Sequence, residues 1–391
     1  MNSEIVKFQR LLKIDLPLKQ SAFLWGGRKT GKSTFLKENF PQAIFYDLLN
    51  YDLFLKLSRS PNFLREELLD RNKNGLVIID EIQKVPALLD EVHWLIENSN
   101  YHFILCGSSA RKLKRSGVNL LGGRAWSYNF FPLTSKEIKT YKLEEIFNRG
   151  LIPSHFTSTA YKKSLKAYIN DYLKEEIQSE GLVRNLPSFT RFFDSIPYCH
   201  GEIINFSNIA RDCGVDSKTV KEYFQILIDT LIAYFIYPFT SKKGRETLIS
   251  AAKFYLFDVG TANFLSKKEI KDLSGEDAGR SLEHFILMEL IAYKGISDKD
   301  FEINYWRTKT GLEVDFILEK GNVAIEVKIK KEVHKQDIKG LIAFKEENPN
   351  CICYVVSQDS RPRKMMIENI GDIFILPYKD FLDKLWNHKI I

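Results

Sequence analysis

The sequence predicts an α/β protein in three parts, and three observations carry that expectation. A glycine-rich loop stands between an apolar run and a helical segment. Short apolar runs then alternate with helical patterns up to position 133. A second strand-and-helix order closes the chain. Such alternation argues for a parallel sheet with covering helices.

The loop is Gly26-Gly27-Arg28-Lys29-Thr30-Gly31-Lys32-Ser33, preceded by Ala22, Phe23, Leu24 and Trp25 and followed by Thr34 at the start of a helical pattern. Backbone N–H groups of such a loop wrap a phosphate at a helix N-terminus. Lys32 would reach the β- and γ-phosphates, and Ser33 would coordinate Mg²⁺.

Strands are expected over 43–47, 76–82, 103–107 and 126–131. The second is apolar on both faces and ends in Asp80-Glu81, as a buried strand does when it empties into a site at its C-terminal edge. Asp80 would hold the Mg²⁺ shell, and Glu81 would polarise an attacking water. Ser108 and Ser109 follow the third strand, where hydroxyls either sense a phosphate or cap the helix expected near Ala110. Arg124 precedes the last strand; it would steady transition-state charge in its own chain or from a neighbouring copy, or else be a surface arginine.

The middle of the chain carries an amphipathic pattern over 161–180, with Leu165, Tyr168, Tyr172 and Ile177 on one side. A helix-turn-helix rhythm follows, turning at Cys213-Gly214-Val215 and capped by Asp216 or Ser217. Its second helix would expose Lys218, Thr219 and Lys221. The module enters a DNA groove or serves as a scaffold; Glu222 and the lack of an arginine on that helix favour the scaffold.

Downstream, a helix over 279–294 containing Glu283 precedes strands over 302–307, 313–318 and 323–329, a helix over 335–346 and a strand over 351–356. Asp315 and Glu326 fall on adjacent strands, and alternation puts Glu326 and Lys328 on one face. Two such carboxylates suit Mg²⁺ or Mn²⁺, with Lys328 orienting a water or a phosphate. An exposed strand face with a salt bridge is the alternative for so short a string. Lys330, Lys331, Lys335, Lys339, Arg361, Arg363 and Lys364 make this third locally basic, where a nucleic-acid backbone is welcome.

The chain has 391 residues, is 44% hydrophobic and carries a net charge of +7, enough for several cores and too little charge to decide a partner. No run approaches membrane-spanning length and the first residues carry no apolar leader, so a cytoplasmic protein without a membrane partner is expected. Five cysteines without C-x-x-C spacing fit reduced thiols in a reducing compartment. The histidines lack metal-ligand spacing, so no zinc site is expected.

Gly26 to Ser33, DEIQKVP from Asp80, GSSA from Gly107, GGR ending at Arg124 and FFPLTSKE from Phe130 together resemble prokaryotic AAA-type ATPases of the AAA+ superfamily. In those proteins the carboxy-terminal half is a domain of unknown function with restriction-endonuclease-like character. The resemblance covers nearly the whole chain; the family often has alanine-glycine-arginine where this chain has Gly122-Gly123-Arg124. The last third similarly resembles the PD-(D/E)xK nuclease pattern, with Glu283 matching the acid of the first helix, Asp315, Glu326 and Lys328 the core, and Gln336 the glutamine of the second helix. Val314 stands where that pattern has proline.

The resemblance implies an ATP- and Mg²⁺-using ATPase domain over 1–140, a helical and winged-helix module over 141–245, and a nuclease-like α/β domain over 246–391. Nucleic acid, most readily DNA, is the implied partner, with a homo-oligomer or a partner protein as a further one. An interaction protein with an inactive nuclease fold is the alternative.

Overall fold

The computed structural model describes residues 7–17, 19–71, 74–109, 121–173, 186–240 and 251–391. Its first sheet joins β1 (Ser21–Trp25), β2 (Ile44–Asp47), β3 (Asn74–Asp80), β4 (Asn100–Gly107) and β5 (Ala125–Asn129) in the order β2-β3-β4-β1-β5. Every pairing is parallel. Covering helices Lys32–Asn39, Tyr51–Arg59, Asn62–Asp70 and Leu88–Asn98 account for the apolar character of both sheet faces. Val77, Ile78 and Ile79 are fully buried. Because Trp25 pairs with Gly107 and Asp80 with Cys106, the loops that leave β1, β3 and β4 emerge at one edge.

The middle of the chain is helical: Leu143–Arg149, Pro153–Phe156, Tyr161–Ala167 running into a π-helical turn over Tyr168–Leu173, and Leu186–Cys199. Ile177 lies outside the described residues, as does Ala110. Helices Phe206–Cys213 and Ser217–Asp229 form the expected pair, and the Asp216 carboxylate caps the second by accepting from Thr219 N at 2.8 Å. Val220, Tyr223 and Leu227 are buried, while Lys218 and Lys221 are exposed. An antiparallel pair, β6 (Ala233–Pro238) and β7 (Lys253–Leu256), follows.

The second sheet is larger than the sequence predicts. Besides β8 (Ile303–Arg307), β9 (Glu313–Leu318), β10 (Val323–Val327) and β11 (Ile352–Ser357), it takes in β12 (Arg363–Ile367) and β13 (Gly371–Pro377). Its order is β12-β13-β11-β10-β9-β8-β6-β7. Thus β6 and β7, on either side of residue 245, belong to one sheet, since β6 pairs with β8 as well as β7. Helix Gly275–Ile296 buries Leu282, Phe285, Ile286 and Leu290 in a core shared with Ile325 and Val327 of β10. Helix Lys339–Glu347 lies in another core, with Ala324 and Cys353. All five cysteines are buried free thiols. Among the described residues, no helix is long and apolar enough to cross a membrane.

Candidate functional site

Gly31 takes φ +97° and so turns the chain into helix Lys32–Asn39 in a conformation that suits glycine. Lys32 is buried, and its ammonium donates to the carbonyl oxygens of Gly26 at 2.6 Å and Gly27 at 3.0 Å. Thr30 Oγ1 donates to Gly27 O at 2.7 Å, tying the loop across its mouth. Gly27 faces the Phe257 ring, which follows β7 directly. Thr34 continues the first helical turn. Lys29 has φ +61°, and its ammonium lies 5.7 Å from the centre of the Tyr168 ring. Arg28, between Gly27 and Lys29, completes the loop.

Ser33 Oγ donates to Asp80 Oδ2 at 2.5 Å, so the loop and the end of β3 meet as a hydroxyl and a carboxylate. This oxygen pair fits the donor set a hard divalent cation takes. Glu81 has φ +61°, a left-handed conformation that is costly for a non-glycine residue and recurs at functional sites. Gln83 Nε2 donates to Glu81 Oε2 at 2.5 Å and to Ser108 Oγ at 3.0 Å. A Cβ at position 107 would collide with the Gln83 amide, which explains glycine there. Ser109 Oγ reaches Asp229 O at 3.4 Å, at the end of helix Ser217–Asp229.

Arg124 does not join this group, and the expectation that it serves the phosphate loop of its own chain is corrected. Its carbonyl accepts from Ser21 N, placing it where β1 begins, whereas the loop leaves β1 at the other end. Its guanidinium pairs with Glu97 in a half-exposed contact.

Sequence reasoning missed two supports. Arg10 donates to Thr30 O at 2.8 Å, to Phe131 O at 2.7 Å and to Glu137 Oε1 at 3.0 Å, and stacks over Phe130 at 4.1 Å. Glu137 also accepts from Leu11 N and Thr134 N. The motif strings held Gln83 and Glu137; nothing local marked Arg10.

In the second sheet, β9 and β10 run antiparallel with Ala324 opposite Ile317 and Ile325 opposite Phe316; Glu326 and Asp315 are the next residues along each strand. Asp315 Oδ2 accepts from Val327 N at 2.7 Å, and Lys328 Nζ donates to Glu326 Oε1 at 2.5 Å. Burial, then the neighbouring carboxylates Glu326 and Glu283, push Asp315 well above the usual carboxylate range, and burial raises Glu326. Burial would lower Lys328, but Glu326 and Asp315 hold it above the ordinary lysine value. Glu326 Oε2 is buried without a hydrogen-bond partner.

Glu283 joins the cluster through β7: Tyr255 Oη donates to Glu283 Oε1 at 2.5 Å, and Lys253 Nζ lies 3.6 Å from the same oxygen. Lys253 also pairs with Glu313. Neither Lys253 nor Tyr255 belongs to any motif in the sequence. Among the described residues, no three His, Cys, Asp or Glu side chains are close enough together to hold a metal ion. Gln336 lines a shallow surface with Leu312, His334, Lys335 and Lys339. The basic run is partly neutralised, with Lys330 on Asp337, Arg363 on Asp359 and Lys364 on Asp372.

A parallel sheet whose first loop and third strand meet through Ser33 and Asp80 defines a P-loop nucleotide-binding arrangement. Residues 19–139 match a family model described as an AAA domain, and this match together with the fold supports an AAA-type ATPase. Residues 140–272 and 278–379 match two domains of unknown function, DUF8612 and DUF4143.

Uncharacterized proteins of Mycobacterium tuberculosis and Mycobacterium bovis are each 24% identical over 253 residues, covering 63% of this chain. The chain spans 56% of the length of these relatives. An uncharacterized protein of Methanocaldococcus jannaschii is 23% identical over 366 residues, covering 81% of this chain and 77% of its own. Among solved structures, the ORC1 protein of Aeropyrum pernix in complex with DNA superposes loosely, with TM-score 0.31, 12% identity, and coverage of 63% of this chain and 86% of that one. A signal-transduction ATPase from Pyrococcus horikoshii with a tetratricopeptide repeat sensor gives TM-score 0.20, 14% identity, and coverage of 70% and 43%.

Proposed function

We propose that the chain binds and hydrolyses ATP with Mg²⁺ at the edge of the first sheet, and that its nucleotide state governs the carboxylate site of the second. The contact between Ser33 Oγ and Asp80 Oδ2 carries this reading, because it brings the two motifs into one oxygen site. Loop residues Gly26 to Thr34 would cradle the phosphates, with Lys32 leaving the Gly26 and Gly27 carbonyls for the β- and γ-oxygens. Mg²⁺ between Ser33 and Asp80 would neutralise developing charge. Glu81 would orient the attacking water, Gln83 would set its carboxylate, and Ser108 and Ser109 would pass the state of that site onward. Arg124 would act on a neighbouring copy in a homo-oligomer.

Three domains, over 1–140, 141–245 and 246–391, remain our division of labour, with the helix pair Phe206–Cys213 and Ser217–Asp229 at the centre of a winged-helix module in the second. The last would be a nuclease-like unit acting on nucleic acid, DNA above all. Asp315 and Glu326 would supply oxygens for Mg²⁺ or Mn²⁺, the unpartnered Glu326 Oε2 first, and Glu283 would join them only on leaving Tyr255 and Lys253, since the three do not converge as they stand. A bound metal would supply Lewis-acid activation of a phosphodiester and its water, and Lys328 would stabilise the phosphate. The ion pairs already filling that cluster favour a second reading, in which the fold is catalytically silent and binds a partner protein.

Isothermal titration calorimetry and phosphate release test the first half. Lys32→Ala should lose ATP binding, and Glu81→Gln should bind without turnover; hydrolysis retained in both would sink the assignment. Oligonucleotide cleavage with Mg²⁺ or Mn²⁺, lost in Asp315→Ala and Lys328→Ala, tests the second. No cleavage by the wild type under these conditions would leave the partner-binding reading.

A further inference from the structure

The carboxylate cluster contains a cation of its own. Asp315 and Glu326 are buried, with the partly buried Glu283 and Glu313 beside Lys253, and acids so gathered require compensation. Lys328 answers Glu326 from the same strand face. The other compensation comes from outside every motif: Lys253, the first residue of β7, is 4% exposed and reaches Glu283 at 3.6 Å while pairing with Glu313.

That ammonium is locked from several sides. The Tyr305 ring centre lies 5.3 Å from Lys253 Nζ, Tyr255 two residues on donates to the same Glu283 oxygen, and Arg307 Nε lies 3.3 Å from the far oxygen of Glu313. Lys253 is therefore placed among carboxylates, not at a surface. One oxygen of the cluster, Glu326 Oε2, is buried and unanswered. The acids have charge to offer a second cation but are drawn toward two ammonium groups instead of one common point.

We propose that Lys253 is a resident cation of this site and competes there with a divalent metal, so that metal enters only against its charge. The inference rests on the reading of Asp315 and Glu326 as metal ligands. A unit charge a few ångströms away, at the effective dielectric of a protein interior, opposes an incoming cation by well over about tenfold in affinity. Lys253 is a positioning residue here: it touches the ligands and not a substrate.

Titration of the full chain with Mn²⁺ alone, followed by calorimetry and by the electron paramagnetic resonance of free Mn²⁺, tests this without any assay of activity. Lys253→Met should bind Mn²⁺ at least about tenfold more tightly than the wild type, and adding Asp315→Asn should abolish that gain. Should Lys253→Met fail to fold, Lys253→Gln, which keeps a hydrogen-bond donor near Glu283 without the charge, carries the same comparison. Equal affinity in wild type and variant would overturn the resident-cation role while leaving the metal site standing. A gain that survives Asp315→Asn would place the metal elsewhere and overturn the proposal. Absence of Mn²⁺ binding in every variant would remove the metal site itself, and the competition with it.

Discussion

Gln83 holds Glu81: its side-chain amide donates to Glu81 Oε2 at 2.5 Å, both groups are buried, and Glu81 itself is in a left-handed backbone conformation. The carboxylate proposed to orient a water is thus fixed from a turn of its own loop. A hydrogen bond to a charged group contributes about 1.5–3 kcal/mol. Gln83→Ala should therefore lower the kcat of ATP hydrolysis by about tenfold to a hundredfold. Nucleotide affinity, which depends on the phosphate loop, should be nearly unchanged. Unchanged kcat in a steady-state phosphate-release assay would exclude this role.

Arg10 and Glu137 form a nearly solvent-free ion pair, with side chains 9% and 1% exposed. Removing one partner leaves the other charge buried, a loss of about 3–5 kcal/mol. Arg10→Ala should show that loss in urea denaturation and should also weaken nucleotide binding, since Thr30 O loses its donor. Arg10→Lys should not restore binding, because a point charge cannot serve Thr30, Phe131 and Glu137 together. Normal ATP affinity in Arg10→Ala would show that the loop stands without this brace.

Arg124→Ala should leave the nucleotide affinity of the isolated chain unaltered and change stability by less than about 1 kcal/mol, as expected for an exposed pair with Glu97. Turnover that rises with protein concentration in the wild type but not in Arg124→Ala would identify a contribution between copies. A loss of ATP affinity at low protein concentration would contradict the placement at the far end of β1.

Glu289 is buried and its pKa is raised from 4.5 to about 7 by that burial, against the hydrogen bonds from Trp386 and Ser135. Its folded pKa lies above the unfolded one, so the native state keeps a proton that the unfolded chain releases as pH rises across this range. The corresponding stability, about 3 kcal/mol, is fully present below pH 4.5 and lost as pH rises through 7. His155 and His284, both lowered to about 4 by burial, work in the other direction and lose stability as pH falls below 6.5. The difference between wild type and Glu289→Gln in urea melts from pH 5 to 8 isolates the carboxyl: the variant should lose the decline attributed to Glu289. Parallel curves would show that Glu289 does not titrate in this range.

The phosphate loop and the end of β3 were legible because their chemistry is local: a few glycines, a lysine, a hydroxyl, and an apolar strand ending in acids. The central strands of both sheets were legible for the same reason, being apolar on both faces. β12 was not, because Arg363 to Ile367 mixes charged and apolar side chains at a sheet edge and reads as a basic patch. Arg10 and Lys253 left no trace, since each is a single cation whose role depends on partners far away in the chain, Glu137 and Glu313 among them. Arg124 stayed open between its own chain, a neighbouring copy and the bare surface, because nearness in sequence to a strand says nothing about which end of the sheet that strand begins at.

The brace that Arg10 applies to Thr30 and Glu137 bears on how the chain can be shortened. Similarity to the AAA domain begins at residue 19, and a fragment cut at that border keeps every glycine of the loop, both acids and the whole parallel sheet. It discards the guanidinium beneath them and leaves Glu137 charged in a dry interior. Such a fragment would carry an intact signature and a loosened cradle, so a failure to bind nucleotide would report the cut and not the protein.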